Sequence, residues 1–292
     1  MNAQRRAVVA SIVGLTLLAI MSFWLAWWFR KQQRPTPRPT ITVTFLELSS
    51  GSCALIRTPD KRTILINDGG AASGAEVVHT LKKAHITQVD LLVLASPSLD
   101  EIGGTTALLD SRIPIKSIWN SAVDDGDPTR QKLIQRIRLR RIPYRVVHSN
   151  EKTTIGESAM RLAVLWPPQR SPRASLDPLI CRLEFGQTAI LLAGSCNSAA
   201  EPYLVADAGD TLACDILQVP GNGGADCASL EFMRLAGPAT AVISSTPQAP
   251  PDPGTLHRLQ AAGAGVWRTD MQGAITVTAN GVTAPQVTGA KL

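Results

Sequence analysis

The chain has 292 residues, which is too long for one small domain and suits a short anchor followed by one large domain. Apolar residues make up 45% and aromatic residues 4% of the sequence, which predicts a sizeable core built mainly from Leu, Ile, Val and Ala. The net charge is +6, yet residues 1–40 hold six basic and no acidic residues, so the remaining 23 basic residues balance 23 acidic ones, which argues against a non-specific DNA-binding domain.

The first predicted element is an apolar helix. Residues 7–28, AVVASIVGLTLLAIMSFWLAWW, carry no charge and end in a cluster of three tryptophans. At about 1.5 Å per residue this helix extends about 33 Å, enough to cross the hydrocarbon core of a bilayer. A cleaved signal peptide is the alternative, but its apolar run would be unusually long and no small-x-small cleavage site precedes Arg30. We predict a short tail at residues 1–6 and a single-pass transmembrane anchor at residues 7–29, which places the chain at the cell membrane.

A basic, proline-rich linker is predicted at residues 30–40. It contains the sequence RPTPRPT, which favours an extended, semi-rigid connector whose arginines can contact anionic lipid headgroups. Basic residues flank both ends of the anchor, and their count leans slightly towards a cytoplasmic C-terminal domain. Long domains, however, often cross the membrane regardless of this charge rule.

Residues 41–292 are predicted to form one α/β domain. In its first half, alternating or continuous apolar runs predict strands at residues 41–48, 53–57, 63–67 and 89–94 and a helix at 75–84. The run VDLLVL is uninterrupted, which indicates a strand covered on both faces.

The second half repeats this texture of short strands with helices between them. Two strand-rich halves suggest two sheets packed face to face with helices outside. Strands are predicted at residues 161–165, 180–185, 188–192, 216–219, 241–244, 265–268 and 274–278, and helices at 131–141, 199–206, 229–235 and 254–262.

Five cysteines are widely spaced and include no C-x-x-C pair, which argues against a disulfide framework and against a structural zinc ribbon. We expect them to behave as small buried apolar residues. A single bridge between Cys214 and Cys227 stays open at this level.

Five ordered segments carry a resemblance to a known family. They are TFLELSSGSCALIRTPDKRTILINDGG, LLVLASPSLDEIGG, LEFGQTAILLAGS, DILQVPGNGG and LQAAGAGVWRTDMQGAITV. Together, from Ile41 to Val277, they resemble the metallo-β-lactamase-like domain of the ComEC-type DNA-uptake channels. The resemblance implies a four-layer αββα sandwich, which the anchor would tether to the membrane.

The metal-binding motif of that family is degenerate here. The family's H-x-H-x-D-H loop falls on Ser96, Ser98, Asp100 and Glu101, so that only the aspartate is kept. The family's bridging carboxylate and its V-P-H-H-G histidines are replaced as well, and its late histidine falls near Pro250. We therefore predict no catalytic residue, no bound metal and no cofactor. The predicted vestigial cleft consists of Asp68, Ser96, Ser98, Asp100, Glu101, Ser195, Gly221 and Asn222.

Two chemical alternatives remain for this cleft. Asp68, Asp100 and Glu101 offer hard oxygen ligands for Mg²⁺ or Ca²⁺, although Asp68 can also simply end a strand and Asp100 can cap a helix. The serines suggest a nucleophile, but the pattern places no histidine or lysine nearby to act as the base. The four histidines, His79, His85, His148 and His257, fall away from the strand-to-loop positions where ligands are expected.

One helix is rich in basic residues. The stretch QKLIQRIRLRRIPYR presents lysine and arginine beside an apolar side, which suits DNA phosphates, anionic lipid or simply a solvated face of an amphipathic helix. No aromatic residues alternate with the basic ones to stack bases. Nucleic acid is therefore the less favoured partner.

Three functions are compatible with the sequence. We favour a non-catalytic binding or scaffold module at the membrane, and the resemblance implies a protein partner from DNA-uptake or envelope machinery and a domain outside the cytoplasmic membrane. The rival is a metal-dependent hydrolase or nuclease with an atypical site on Asp68, Asp100 and Glu101. A purely structural membrane protein is the third.

Overall fold

The computed structural model of the chain describes residues 3–32, 38–121, 127–154, 160–169 and 178–291. The chain divides into two compact units, Met1–Arg38 and Pro39–Leu292. Within the first unit, helix α1 spans Ala3–Gln32, and its side chains are described for residues 13–29.

The membrane anchor predicted at residues 7–29 begins at side chains that lie outside the described residues. Among the described residues, no helix combines the length and the apolar character that a membrane crossing requires. The structure therefore does not support the anchor, which stays a prediction. The linker predicted at residues 30–40 lies largely outside the described residues as well.

The second unit is built from short strands and helices. The strands are β1 Ile41–Phe45, β2 Ala54–Arg57, β3 Thr63–Ile66, β4 Leu91–Leu94, β5 Ile118–Asn120, β6 Tyr144–Val146, β7 Lys152–Thr154, β8 Arg161–Trp166, β9 Ile180–Phe185, β10 Thr188–Leu192, β11 Ile216–Gln218, β12 Thr240–Ile243, β13 Gly265–Arg268, β14 Ile275–Ala279 and β15 Gln286–Gly289. The helices are α2 Gly74–Lys83, α3 Leu99–Ile102, α4 Thr105–Asp110, α5 Pro128–Leu139, α6 Glu201–Ala208, α7 Leu230–Ala236, α8 Pro253–Ala261 and α9 Thr269–Gln272.

These strands form two mixed sheets. The first has the order β15-β14-β1-β2-β3-β4-β5-β6, and the second has the order β13-β12-β11-β10-β9-β8-β7. The β3–β4–β5–β6 part of the first sheet and the β10–β11–β12–β13 part of the second are parallel. The chain therefore crosses over through helices between these strands, as parallel pairs require.

The burial pattern explains why the two sheets stack. In β1, Ile41, Val43 and Phe45 are fully buried while the two threonines between them are partly exposed, as expected for one inward face. In β3 and β4 every residue is buried, because these central strands are covered on both faces.

Three apolar clusters fill the spaces between the layers. One cluster joins inward residues of both sheets, such as Val43 and Leu183. A second lies between the first sheet and its helices, and includes Leu81 and Ile137. The third lies between the second sheet and its helices, and includes Phe232. The layers are therefore helix, sheet, sheet and helix. Every residue of the three clusters lies in the second unit.

Most predicted elements are confirmed, with shifted ends. The tight turn between β9 and β10 is present, and Gly186 adopts φ +58 there, where an added Cβ would lie 2.2 Å from the carbonyl oxygen of Gly281. The strand predicted at residues 41–48 ends at Phe45. The short strands β5, β6 and β7 were not predicted, because three residues are too few to establish an alternating pattern.

The cysteines follow the expectation in part. All five are free, so no bridge joins Cys214 to Cys227. Four are buried and Cys214 is partly exposed. Burial, together with the nearby carboxylates of Asp68 and Glu101, raises the pKa of the Cys53 thiol well above its ordinary value. This thiol is therefore protonated at neutral pH and unreactive.

Candidate functional site

The candidate site lies where strands of both sheets end. Asn67 and Asp68 directly follow β3, and the loop to α3 follows β4. Ser195 follows β10, and Asn222 follows β11. The carboxyl ends of parallel strands in α/β sheets are the usual place for ligands, and several residues of the predicted cleft lie at such ends.

Glu101 is the centre of this site. Its carboxylate accepts hydrogen bonds from the backbone N–H of Ser52 at 3.0 Å, from Asn67 Nδ2 at 3.2 Å and from Asn222 Nδ2 at 2.7 Å. The Ser52 hydroxyl donates a fourth hydrogen bond. A carboxylate offers about four acceptor positions. Three of these contacts converge on Oε2, whereas Oε1 accepts only from Asn222, so both oxygens of Glu101 are bonded to the protein.

The electrostatics of Glu101 reflect two opposing effects. Burial raises the pKa of this carboxyl above its ordinary value, while the hydrogen bonds from Ser52, Asn222 and Asn67 offset part of that rise. Three of the four contacts come from N–H groups, which can only donate, whereas the Ser52 hydroxyl can donate to an ionised carboxylate or accept from a protonated one.

Asn67 connects the two halves of the domain. Its Nδ2 donates to Glu101 and, at 2.9 Å, to Ser195 Oγ, while its Oδ1 accepts from the backbone N–H of Ala95 at 2.8 Å. It adopts φ +57, a left-handed conformation that asparagine tolerates better than most residues. Because Ala95 belongs to the first sheet and Ser195 to the second, this side chain ties both sheets to the site.

Asp68 lies beside this network, but its carboxyl contacts Thr105 instead of the network. It is fully buried, and its Oδ2 lies 2.5 Å from the hydroxyl oxygen of Thr105. The same hydroxyl lies 2.8 Å from the carbonyl oxygen of Ile102. A hydroxyl has one proton to donate; when it donates to Ile102, the short contact requires a proton on Asp68. Burial raises the pKa of Asp68 well above its ordinary value, which agrees with a neutral carboxyl.

The predicted cleft residues separate into three groups. Glu101, Ser195 and Asn222 belong to the hydrogen-bonded network just described, which also contains Ser52 and Asn67. We call these five residues the Glu101 network. The neighbouring residues Asp68 and Ser96 are buried, and Ser98, Asp100 and Gly221 lie in the surrounding loops.

One interpretation of the loop after β4 is corrected. Asp100 does not cap the helix; Ser98 is the N-cap of α3, and its hydroxyl accepts from the backbone N–H of Asp100 at 3.2 Å. Ser98 and Asp100 are both exposed at the surface. Elsewhere in the site, polar side chains pack closely against Gly194, where a Cβ would lie 2.6 Å from Gln218 Nε2 and 3.1 Å from Asn222 Oδ1.

The residues present do not fit the metal site that the resemblance implies. Both oxygens of Glu101 already accept hydrogen bonds from the protein, Asp68 is fully buried against Thr105 and Asp100 is exposed. In the part of the chain that the structure describes, no three His, Cys, Asp or Glu side chains are grouped to hold a metal ion. The oxygen-ligand alternative on these three carboxylates is therefore not supported by their arrangement.

A serine nucleophile would also lack a general base to activate it. Ser195 Oγ accepts from an asparagine amide, which is not a base. Ser96 Oγ accepts from the backbone N–H of Ser98 at 3.0 Å. Among the residues that the structure describes, no histidine is hydrogen-bonded to either hydroxyl.

A groove adjoins Asp100, the residue before Glu101. It has a volume of about 1020 Å³ and lies between α2, α4 and α5. Of the predicted cleft residues, Asp100 alone lines it. Its floor is largely apolar, with Val78 and Leu133, and it has space for a ligand or a partner side chain.

Two residues of the network were not predicted. Ser52 lies in the turn before β2, and Asn67 was interpreted only as the end of a strand. The available signal was an asparagine at the end of a buried strand, where an amide needs partners that the strand itself does not provide.

We expect Asn67→Ala to lower the free energy of unfolding by about 3 kcal/mol. About 2 kcal/mol comes from the lost hydrogen bonds, including a buried N–H left without an acceptor, and about 1 kcal/mol from the left-handed backbone. Urea unfolding of residues 39–292 measures this difference.

Asn150→Ala is the matched control for that substitution. Asn150 also adopts a positive φ, +71, but its side chain is exposed. It should lose only the backbone contribution of about 1 kcal/mol. Equal losses in the two variants would mean that the side-chain bonds of Asn67 contribute nothing.

The comparisons with known proteins identify the fold. No protein-family model and no curated protein matches the chain significantly. Among solved structures, a variant of the CmlA β-hydroxylase is similar, with a TM-score of 0.52 and 12% identity over 88% of this chain. This chain spans only 55% of the CmlA chain. A diphosphatase from the PhnP family matches with a TM-score of 0.43, 12% identity, and coverage of 80% of this chain and 87% of that one.

Sequence identities this low show the fold alone. The similar structures are proteins of the metallo-β-lactamase fold, which agrees with the two stacked sheets and outer helices found here. Membership of the ComEC-type family is not shown by them. The chain therefore has a mixed α/β, metallo-β-lactamase-like fold.

Proposed function

We propose that this chain is a non-catalytic binding or scaffold protein built on a metallo-β-lactamase-like domain. The observation that carries the proposal is the Glu101 carboxylate, both of whose oxygens accept hydrogen bonds, four in all, from Ser52, Asn67 and Asn222. A metal-activating carboxylate needs free lone pairs, and a general base needs access to its proton acceptor. At Glu101 three donors converge on Oε2 and Asn222 holds Oε1, so the protein itself competes with both roles.

A metal-dependent hydrolase is the rival function. The fold favours it, since similar structures include a hydroxylase, a diphosphatase and lactamases. What argues against it is the burial of Asp68, whose carboxyl lies against Thr105, and the exposure of Asp100 at the surface. Such a site would lack a common point for three ligands.

The proposal includes a location and a class of partner. Residues 7–29 anchor the chain in the cell membrane, and the domain lies on the extracytoplasmic side, where a protein of envelope or DNA-uptake machinery binds it. The resemblance of the sequence to ComEC-type domains motivates this part. Nucleic acid is a less favoured ligand, because the domain is formally neutral.

Site-specific photo-crosslinking in membranes tests the binding role. A crosslinker replaces Asp100 or Thr106, which are exposed and line the groove. Val282, 55% exposed and absent from the groove lining, provides the control position. We expect a discrete protein adduct from the groove positions only.

Two outcomes would contradict the proposal. Identical adduct patterns from Thr106 and Val282 would mean that the groove is not a specific binding surface. Metal-stimulated phosphodiester or amide hydrolysis by the full chain would show that the site is catalytic after all.

A further inference from the structure

A basic and apolar surface lies at the C-terminal end of α5 and continues to the edge strand β6. Residues 138–146, RLRRIPYRV, contain four arginines and no acidic residue. Leu139 is 75% exposed and Val146 is 42% exposed. We call residues 138–146, together with Arg112, the arginine patch.

The positive charge of the arginine patch is only partly balanced. Asp110 accepts from Arg140 at 3.3 Å, and Glu151 accepts from Arg145 at 2.6 Å. Arg138 and Arg141 are exposed and form no ion pair with any residue described in the structure. The patch therefore keeps an excess of exposed guanidinium groups, although the domain as a whole is formally neutral.

A shallow groove adjoins these arginines. Its volume is about 420 Å³, and Arg112 and Arg140 contribute to its lining. The floor is apolar and includes Ile113, Ile115 and Ile142. Guanidinium groups beside an apolar floor offer separate contacts to a phosphate and to a hydrocarbon chain.

We propose that the arginine patch docks the domain onto a bilayer containing anionic phospholipid. The arginines meet the negative headgroup layer, and Leu139 enters the boundary between headgroups and acyl chains. This surface lies beyond the Glu101 network and does not depend on the role proposed for it.

Two other occupants fit the surface less well. The phosphates of a nucleic acid offer no apolar surface for the exposed Leu139 to contact. The nearby ring of Tyr144 is half-buried, and its hydroxyl accepts a hydrogen bond from Asn120 Nδ2 at 2.6 Å. Stacking on bases needs an accessible aromatic face. A second copy of the chain would bring the unpaired arginines of both copies together, which like charges oppose.

Vesicle co-sedimentation of residues 39–292 tests the proposal. This unit contains all of its core residues, so it can be studied without α1, whose apolar surface would otherwise bind lipid by itself. We expect binding to vesicles of phosphatidylcholine with phosphatidylglycerol and little binding to phosphatidylcholine alone. Added salt should weaken the binding.

Charge reversal identifies the surface responsible. Arg138→Glu with Arg141→Glu should weaken binding to the anionic vesicles at least about twenty-five-fold, because each basic residue contributes about fivefold. The control is Lys82→Glu with Lys83→Glu, which changes the net charge equally on exposed positions of α2. It should reduce binding much less.

A third variant, Leu139→Ser, separates lipid from nucleic acid. It should weaken vesicle binding severalfold and leave any binding of duplex DNA unchanged. The proposal is overturned if the unaltered unit does not bind anionic vesicles. It is also overturned if the double lysine variant and the double arginine variant weaken vesicle binding equally. It is also overturned if DNA, but not lipid, is bound through Arg138 and Arg141.

Discussion

Replacing Glu101 by alanine is expected to lower the free energy of unfolding of residues 39–292 by about 2–4 kcal/mol. The carboxylate accepts four hydrogen bonds, two from Ser52 and one each from Asn67 and Asn222. Its removal leaves these donors facing a cavity without an acceptor, and each unsatisfied buried donor costs about 1–3 kcal/mol unless water enters. Equilibrium urea unfolding provides the measurement.

Two further variants show which property of Glu101 matters. Glu101→Gln keeps the shape but places an amide N–H₂ among donors, so we expect a loss of about 2 kcal/mol. Asp100→Ala is the matched control, because the neighbouring carboxylate is exposed. Its effect should stay within about 0.5 kcal/mol. A Glu101→Ala variant as stable as Asp100→Ala would refute the structural role of the network.

Replacing Asp68 by asparagine is expected to raise the free energy of unfolding at neutral pH. Burial raises the pKa of Asp68 well above its ordinary value, so the folded chain holds a proton that the unfolded chain releases. Asparagine resembles the neutral carboxyl in shape and can donate from Nδ2 towards Thr105. It therefore avoids the cost of burying a titratable group.

The sign of the pH dependence follows from the raised pKa. The contribution of Asp68 to stability is fully present below the unfolded pKa of about 3.9 and is lost as the pH rises through the folded pKa. Within that window stability should fall by about 1.4 kcal/mol per pH unit. In Asp68→Asn the part of this slope that comes from Asp68 should disappear. Stability that instead rises with pH at Asp68 would mean that the folded chain keeps this carboxyl ionised.

Asp90 offers a control of opposite sign. Burial opposes ionisation there, but hydrogen bonds from the backbone N–H of Thr63 and from Arg62 and Lys116 lower the pKa of Asp90 overall. Its contribution is present at neutral pH and is lost as the pH falls through the lowered pKa. Asp90→Asn should therefore destabilise the domain at neutral pH, where Asp68→Asn stabilises it.

Sequence pattern was sufficient for the elements that form the core. The continuous apolar runs of β3 and β4 and the hairpin of β9 and β10 are each determined by local periodicity and turn chemistry. The ordered matches to a known fold then supplied the arrangement of the sheets. Short elements such as β7, with three residues, carry too little local signal to be recognised.

The candidate site was predicted less completely, because its hydrogen bonds join distant segments. Ser52 and Asn67 donate to a carboxylate 49 and 34 residues away along the chain. No local pattern records such a pairing. Asp100 and Glu101 show the same limit of local sequence patterns. Both are acidic and adjacent, yet Asp100 is exposed to solvent and Glu101 is bonded within the network. That difference is fixed by how the Ser98 cap starts α3.

Loss of the expected histidines need not leave space, because other polar side chains can reach the same point. Asn222, in a left-handed turn after β11, donates to Glu101, and Gln218 lies against Gly194. Among the residues that the structure describes, Asn222 Oδ1 and Asp68 Oδ1 are buried without a hydrogen-bond partner, so the pairing is incomplete.

Metal content is the most direct test of the central claim that the protein, and not a metal ion, occupies this site. Residues 39–292 are incubated separately with zinc, manganese and magnesium, desalted and analysed by elemental mass spectrometry. We predict no retained metal of any kind. Retention of about one equivalent or more, lost in Asp100→Ala while the fold stays intact, would contradict the account and identify a metal-dependent site.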